Sequence, residues 1–227
     1  MNKVLVIAAH PDDEVLGVGA TIAKHISKGD IAGCLILGEG QTSRFQTREA
    51  ADHKAVTELH KDTLLSSKEI GYQFVHFADL PDNRFDHVDL LDIIKIVEKE
   101  IGEFQPDIIY THYSGDLNID HQLTFRAVIT ASRPVNDYSV KEIYAYETLS
   151  STEWNFSGEG RGFKPNVFID VEDFYMAKVA AMKHYRSELC EFPHPRSIKA
   201  MEVLAQKWGS VVGKSYVEAF ELIRKVD

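Results

Sequence analysis

The sequence is short of cysteine, of excess basic charge and of long apolar runs, and each shortage removes a class of protein. Two cysteines, Cys34 and Cys190, in 227 residues offer no disulfide framework and no CxxC metal site, which fits a reducing compartment. Cys34 sits inside an apolar run and reads as a small buried hydrophobe. Lys and Arg number 25 against 35 Asp and Glu, a formal net charge of −10, so the basic face that non-specific nucleic-acid binding requires is missing. A few local arginines can still override that average field for an anionic small molecule. Nothing approaches the ~20 apolar residues of a membrane span. The opening run Val4-Leu5-Val6-Ile7 is too short for the apolar region of a signal peptide and gives way to charged residues instead of a cleavage site. The expectation is a soluble, cytoplasmic protein with no membrane span and no nucleic-acid partner; a homo-oligomer is compatible with the sequence.

What is present is an ordinary globular composition, 44% hydrophobic, with length for one substantial core and little room for two. A single domain over residues 1–227 is expected. Short β-branched runs alternate with helical patterns. Val4–Ala9, Ile31–Leu37, Phe74–Phe77, Asp107–Tyr110, Ile143–Tyr146 and Val167–Val171 read as strands. Glu14–Lys28, Arg48–Leu59, Leu90–Phe104, Gln122–Ala131, Phe174–Leu189 and Ser197–Lys225 read as helices, the last with a break near Gly209 or Gly213. In the third helix Leu91, Ile94, Val97 and Ile101 form the apolar stripe. Strand–helix alternation of this kind predicts a Rossmann-like three-layer α/β/α domain, with a mostly parallel sheet and a C-terminal helical portion.

In open α/β sheets ligands bind outside the carboxyl ends of the strands, so the residues that follow each strand matter most. The first strand leads into His10-Pro11-Asp12-Asp13-Glu14, and the fourth into a segment running from Thr111-His112 to Asp120-His121. His10 and Asp13 are three apart where the chain turns into a helix, so an imidazole and a carboxylate can meet one ion. Pro11 suits such an approach, having a fixed φ and no N–H to leave unpaired. His121 supplies a third ligand from the fourth strand's loop. Two histidines and a carboxylate, with a fourth position open to water, are a recurring catalytic zinc set. Asp12, between the first two, is placed to take a proton from the attacking water.

On these residues the chain resembles the LmbE-like (PIG-L) deacetylase family. Ala9-His10-Pro11-Asp12-Asp13-Glu14 matches the family's first motif, and Asp120-His121 the end of its second. The similarity extends to Arg48, Asp82, Phe163–Asn166 and Glu218-Ala219-Phe220. It implies a zinc-dependent removal of an N-acetyl group from a small amino sugar, with one Zn2+ or a similar divalent ion on His10, Asp13 and His121. It also implies Asp12 as general base, and Arg48 and Asp82 as substrate-holding residues. Where the family often carries a histidine that assists the oxyanion, this chain has Asn118, which can donate a hydrogen bond but deliver no proton to a leaving amine.

A replacement for that histidine is expected in Pro193-His194-Pro195-Arg196, whose prolines stiffen the loop between two helices. There His194 serves as a cationic catalytic partner that stabilises charge and donates a proton, and Arg196 as a contact for hydroxyls, phosphate or carboxylate; His112 is a further substrate-side candidate. His25, His53, His60, His76, His87 and His184 read as solvated or core histidines. Phe45, Tyr113, Trp154 and Phe156 are of the type that stacks on a sugar face, or simply packs. Two rival functions remain at this level. One is a phosphoester or small-amide hydrolase on the same metal site. The other is a nucleotide-binding module, disfavoured because His-Pro-Asp-Asp stands where a dinucleotide site has G-x-G-x-x-G.

Overall fold

A computed structural model describes residues 1–135, 138–156 and 162–227. Among the described residues seven strands form one sheet: β1 (Lys3–Ala8), β2 (Ile31–Gly38), β3 (Phe74–Leu80), β4 (Ile108–His112), β5 (Glu142–Tyr146), β6 (Val167–Asp170) and β7 (Val217–Lys225). Their order is β3-β2-β1-β4-β5-β7-β6. The first five in that order run parallel, and β7 lies antiparallel between β5 and β6. The α-helices of the described residues are α1 (Asp13–Ser27), α2 (His53–Ile70), α3 (Leu90–Phe104), α4 (Ile119–Ala131), α5 (Tyr175–Met182) and α6 (Ile198–Val212).

The three-layer expectation holds because side chains alternate across the central strands. Val4 and Val6 of β1 pack with α1, α2, α5 and α6 through Val15, Leu16, Ile22, Leu59, Met182 and Met201. Leu5 and Ile7 pack on the opposite face with Ile93, Val97 and Ile101 of α3 and Ala127 and Val128 of α4. The strand order reverses at β1, with β2 on one side and β4 on the other; that is where an open α/β sheet leaves a crevice.

Several local expectations are corrected. The stretch Ser197–Lys225 is not one helix. α6 stops at Gly213, whose φ of 71° a residue with a Cβ adopts only under strain, and the chain then forms β7. Val217-Glu218-Ala219-Phe220 are all buried, so this strand lacks the in–out alternation that marks a half-exposed one and its pattern resembles a helix. Arg48 also falls outside a regular α-helix. Residues Arg48–Ala50 form a single 3-10 turn, Ala51 is extended, and α2 starts afresh with Asp52 accepting the Lys54 N–H at 2.9 Å. The helix predicted over Phe174–Leu189 ends at Met182 and continues as turns. Leu91 is 61% exposed, whereas Ile93 takes its place on the buried stripe; at 3.6 residues per turn Leu91 lies about 120° round the helix from Val97.

Two features fix α1, whose first turn carries Asp13 and Glu14. Gly17 lets it approach β5 so closely that a Cβ there would lie 2.2 Å from the Tyr146 ring. Midway along, the Glu218 carboxylate accepts the N–H groups of Ala20 and Thr21 at 3.2 and 2.7 Å. Lys178 Nζ donates to Leu16 O at 2.7 Å and pairs with the same carboxylate at 2.6 Å. Among the described residues no helix is long and apolar enough to cross a membrane.

Candidate active site

The segments that follow β1, β2, β3, β4 and β5 converge on a cavity of about 260 Å³. His10, Asp12, Asp13, Asp82, Asn118, His121, His194 and Arg196 all line it. Eight of the ten site residues named from the sequence are therefore brought together. Arg48 and His112 are not on its wall.

His10 lies in the turn after β1, and Asp13 opens α1. The Asp13 carboxylate closes this turn by accepting the His10 backbone N–H at 2.8 Å. His121, in the first turn of α4, faces them. His10 Nδ1, Asp13 Oδ2 and His121 Nε2 form a nearly equilateral triangle with edges of 3.4, 3.3 and 3.3 Å. Around a tetrahedrally bound ion with bonds of ~2.0–2.1 Å, ligand atoms stand ~3.3–3.4 Å apart. The triangle therefore has the dimensions of one face of such a site. A second group of candidate ligands, His10, Asp82 and Asp120, uses the opposite ring nitrogen of His10.

Each imidazole of the triangle is backed by a carboxylate. Asp120 Oδ2 lies 3.0 Å from His10 Nε2, and its other oxygen accepts the Phe85 N–H at 2.9 Å. Asp116 Oδ1 lies 3.1 Å from His121 Nδ1, and its oxygens also accept from the Ser151 and Thr152 hydroxyls. Such carboxylates orient ligating histidines and raise their basicity. Burial pulls both histidines down, but the surrounding carboxylates outweigh it. His10 is pushed well above its ordinary value and His121 to about 9. Asp13, although burial works the other way, is held well below the usual carboxylate range by His121 and His112. A dense set of carboxylates around two buried imidazoles is the chemistry of a cation site.

Asp12 sits between these candidate ligands, only 3% exposed, with φ of 104°. Its N–H is held by Glu14 Oε2 at 3.0 Å, and Tyr185 donates to the other Glu14 oxygen. Burial, and then the neighbouring charges of Asp13 and Glu188, push the Asp12 carboxyl well above the usual range. A carboxylate of raised basicity beside a cation site suits proton transfer near neutral pH. Arg196 Nη1 lies 3.4 Å from it.

The remaining assignments separate by geometry. Asp82 faces the cavity, where Oδ1 lies 3.3 Å from His10 Nε2 and Oδ2 accepts from Ser43 N and Oγ at 3.0 and 2.7 Å. Asn118 is the N-cap of α4. It accepts the Asp120 N–H at 2.8 Å and donates its amide to Asn83 Oδ1 at 2.8 Å. His194 Nδ1 accepts the Arg196 N–H at 3.1 Å, so a neutral ring carries its proton on Nε2. Burial and the Arg196 charge lower its pKa, which works against the cationic role expected of it.

His112 is fully buried behind the triangle, its ring stacked on His121 at 3.9 Å between centroids. Its Nε2 accepts the Ala9 N–H at 2.9 Å, leaving Nδ1–H for Thr148 at 3.1 Å. Burial and the adjacent His121 lower it to about 4. It is a wall of the ligand set, without access to substrate. Arg48 is 45% exposed at its side chain and is gripped by both Glu39 oxygens at 2.9 Å. Asp116, Asp120 and Glu14 were present in the carboxylate-rich strand-end segments without an assigned role. Arg44 and Glu188, also on the cavity wall, carry no local sequence signal.

A strand-end cavity holding a metal-type donor triangle and a basic carboxylate defines a hydrolase rather than a nucleotide-binding α/β protein. The profile of the PIG-L family, GlcNAc-PI de-N-acetylase, matches residues 5–132. The chain belongs to that family and is an N-deacetylase, a hydrolase of non-peptide amide bonds.

The comparisons agree in length as well as pattern. The chain is 28% identical over 191 residues to the uncharacterized deacetylase YaiS of Escherichia coli (strain K12), covering 81% of this chain and 90% of the relative. It is 23% identical over 242 residues to the diacetylchitobiose deacetylase of Thermococcus kodakarensis, covering 98% and 84%. The solved N,N'-diacetylchitobiose deacetylase from Pyrococcus horikoshii superposes with a TM-score of 0.75 at 22% identity, over 98% of this chain and 84% of that one. This last likeness is one of fold.

Proposed function

We propose that the protein removes the acetyl group from an N-acetylated amino sugar, using a zinc-type divalent ion held by His10, Asp13 and His121. The 3.3–3.4 Å triangle of Nδ1, Oδ2 and Nε2 beside Asp12 is the observation that carries this reading. The sugar comes from the relatives, two of which are named as deacetylases of diacetylchitobiose. When bound, such an ion supplies Lewis acidity to the amide carbonyl and makes water a stronger acid.

The chain's own residues account for the proton movements. Asp12 takes a proton from the attacking water as its oxygen bonds to the carbonyl carbon. The same carboxyl then returns that proton to the sugar nitrogen as the C–N bond breaks, giving acetate and a free amine. His194, through Nε2–H, donates a hydrogen bond to the oxygen that gains charge, the task of an oxyanion-hole donor. Asn118, committed to capping α4 and to Asn83, shapes the wall. A cavity of about 260 Å³ suits one sugar ring with its acetamide, below the ~300–1,000 Å³ of drug-sized sites.

The test is an acetate-release screen across N-acetylated sugars, with metal content measured on the same samples. Acetate should appear with wild-type protein and vanish on chelation. Asp12→Asn should keep the metal and lose about two to four orders of magnitude in kcat. Release of phosphate from sugar phosphates without acetate from any substrate would overturn the proposal in favour of a phosphoesterase.

A further inference from the structure

The cavity wall carries two arginines, Arg44 and Arg196, and one terminal nitrogen of each is engaged by the same carboxylate, while Arg196 Nε is buried without a hydrogen-bond partner among the described residues. Both arginines are bound to Glu188, which is only 4% exposed. Glu188 Oε2 accepts from Arg44 Nη2 at 2.6 Å and from Arg196 Nη1 at 2.8 Å, and Gln41 donates to Oε1 at 3.1 Å. The same Arg196 nitrogen lies 3.4 Å from Asp12. A guanidinium stays charged and recognises phosphate or carboxylate with paired N–H groups. Here the chain's own carboxylate already takes one N–H from each, both on Oε2. An incoming anion would have to share the arginines with Glu188 at close range, and unscreened like charges in a cleft repel.

The rest of the outer wall is neutral. Gln41, Ser43, Asn83, Ser150 and Ser151 offer amides and hydroxyls, the partners of sugar hydroxyls. Trp154, 40% exposed, lines the cavity itself, and Phe45, Phe156 and Phe192, at 37%, 85% and 61%, lie within two residues of a cavity-lining residue. Aromatic faces stack on the apolar face of a sugar ring.

We propose that Glu188 is a specificity-determining residue: by pairing with both Arg44 and Arg196 and placing a negative charge between them, it makes the site select an uncharged carbohydrate aglycone over an anionic one. This rests on the deacetylase reading and extends it to the part of the substrate beyond the N-acetyl sugar.

The test compares the metal-loaded protein on the methyl glycoside of N-acetylglucosamine and on N-acetylglucosamine 1-phosphate, with kcat/KM for acetate release at low and high salt. Calorimetric binding of the two deacetylated products supplies a readout that needs no turnover. Wild type should favour the neutral glycoside by about tenfold or more. Because Glu188 also acts on the Asp12 carboxyl, the readout is the ratio of the two ligands. Glu188→Gln should raise the phosphate-to-glycoside ratio of kcat/KM, and of product affinity, about tenfold whatever its effect on turnover common to both, and salt should shrink the difference. Arg44→Gln, at a half-exposed side chain that threatens folding less, should shift the preference the opposite way. A wild type that prefers the anionic ligands, or substitutions that move both ligands alike, would overturn the proposal. If neither glycoside yields acetate the deacetylase reading fails, and the binding measurements alone then decide whether Glu188 excludes anions.

Discussion

Glu14 Oε2 accepts the backbone N–H of Asp12 at 3.0 Å, two residues back along the chain. The bond holds Asp12 at a φ of 104°, a conformation that costs a non-glycine residue on the order of 1–3 kcal/mol. The strain turns the Asp12 carboxylate toward the cavity while Asp13, next in sequence, points at the two histidines. Glu14→Ala should therefore lower stability by about 1–3 kcal/mol and cut kcat at least about tenfold with the metal still bound. Urea denaturation and kcat per metal-loaded molecule check both parts. A stable variant of unchanged kcat would show that Asp12 needs no such brace.

The ligand triangle and its backing carboxylates should separate in a metal titration. Asp13→Ala or His121→Ala should leave protein that emerges from purification without the ion, because two protein ligands rarely hold it. Asp120→Asn and Asp116→Asn should retain it with about 10–100-fold weaker affinity. Equal affinity in all four variants would mean that the ion is held elsewhere, for instance by His10, Asp82 and Asp120.

His194 sets a pH limit whose sign follows from its surroundings. Burial and Arg196 lower its pKa below 6.5, so the ring is neutral at pH 7 and becomes charged only as pH falls through that lowered value. A neutral Nε2–H donor predicts that this protonation contributes to the acid limb of the kcat profile. His194→Ala should reduce kcat about a hundredfold and remove that contribution, with metal content unchanged. Loss of an alkaline limb instead would return His194 to the role of cationic acid.

For Arg48, the Glu39 clamp predicts an outcome unlike that of a substrate contact. Arg48→Ala should cost about 1 kcal/mol or less, as for a half-exposed ion pair, and leave KM within about twofold. A tenfold rise in KM with unchanged stability would place Arg48 on the substrate after all.

A further pH dependence belongs to stability. Glu147, which lines a small pocket with Leu16, Leu149 and Trp208, has its carboxyl pushed up by burial, in spite of the Trp208 Nε1–H it accepts. A raised value means that its contribution is full below the ordinary 4.5 and is lost as pH rises through the folded-state value. The wild type should therefore lose ground to Glu147→Gln as pH is raised from 4.5 to 8. Parallel melting curves that keep a constant separation would rule out this titration.

What the sequence made legible follows from how local each signal is. His10, Asp12 and Asp13 are fixed by one turn between β1 and α1, so spacing alone brings them together. His121 was reachable because the parallel pairing of β1 with β4 places two strand ends side by side. His112 was misjudged because its position at a strand end is the same as a ligand's; only the side to which it faces differs, and that depends on packing against His121 and Tyr146. Glu188 was invisible, since it comes from a turn after α5 and meets Arg44 from far along the chain. β7 was mistaken for a helix because burial on both faces removes the alternation that identifies a strand.

The grip of Glu218 and Lys178 on α1 has a consequence in the order of synthesis. Every candidate ligand lies between residues 10 and 121, yet the helix that opens on Asp13, three residues after His10, is fastened by a strand made near the end of the chain. A nascent chain lacking residues from 217 onward would leave Lys178 buried without its counter-charge, a loss of several kcal/mol for a paired ion. The motif that leaves the ribosome first is thus among the last to become rigid. Chains arrested before Val217 should therefore bind metal more weakly than complete ones, and a metal titration of ribosome-stalled lengths would measure it.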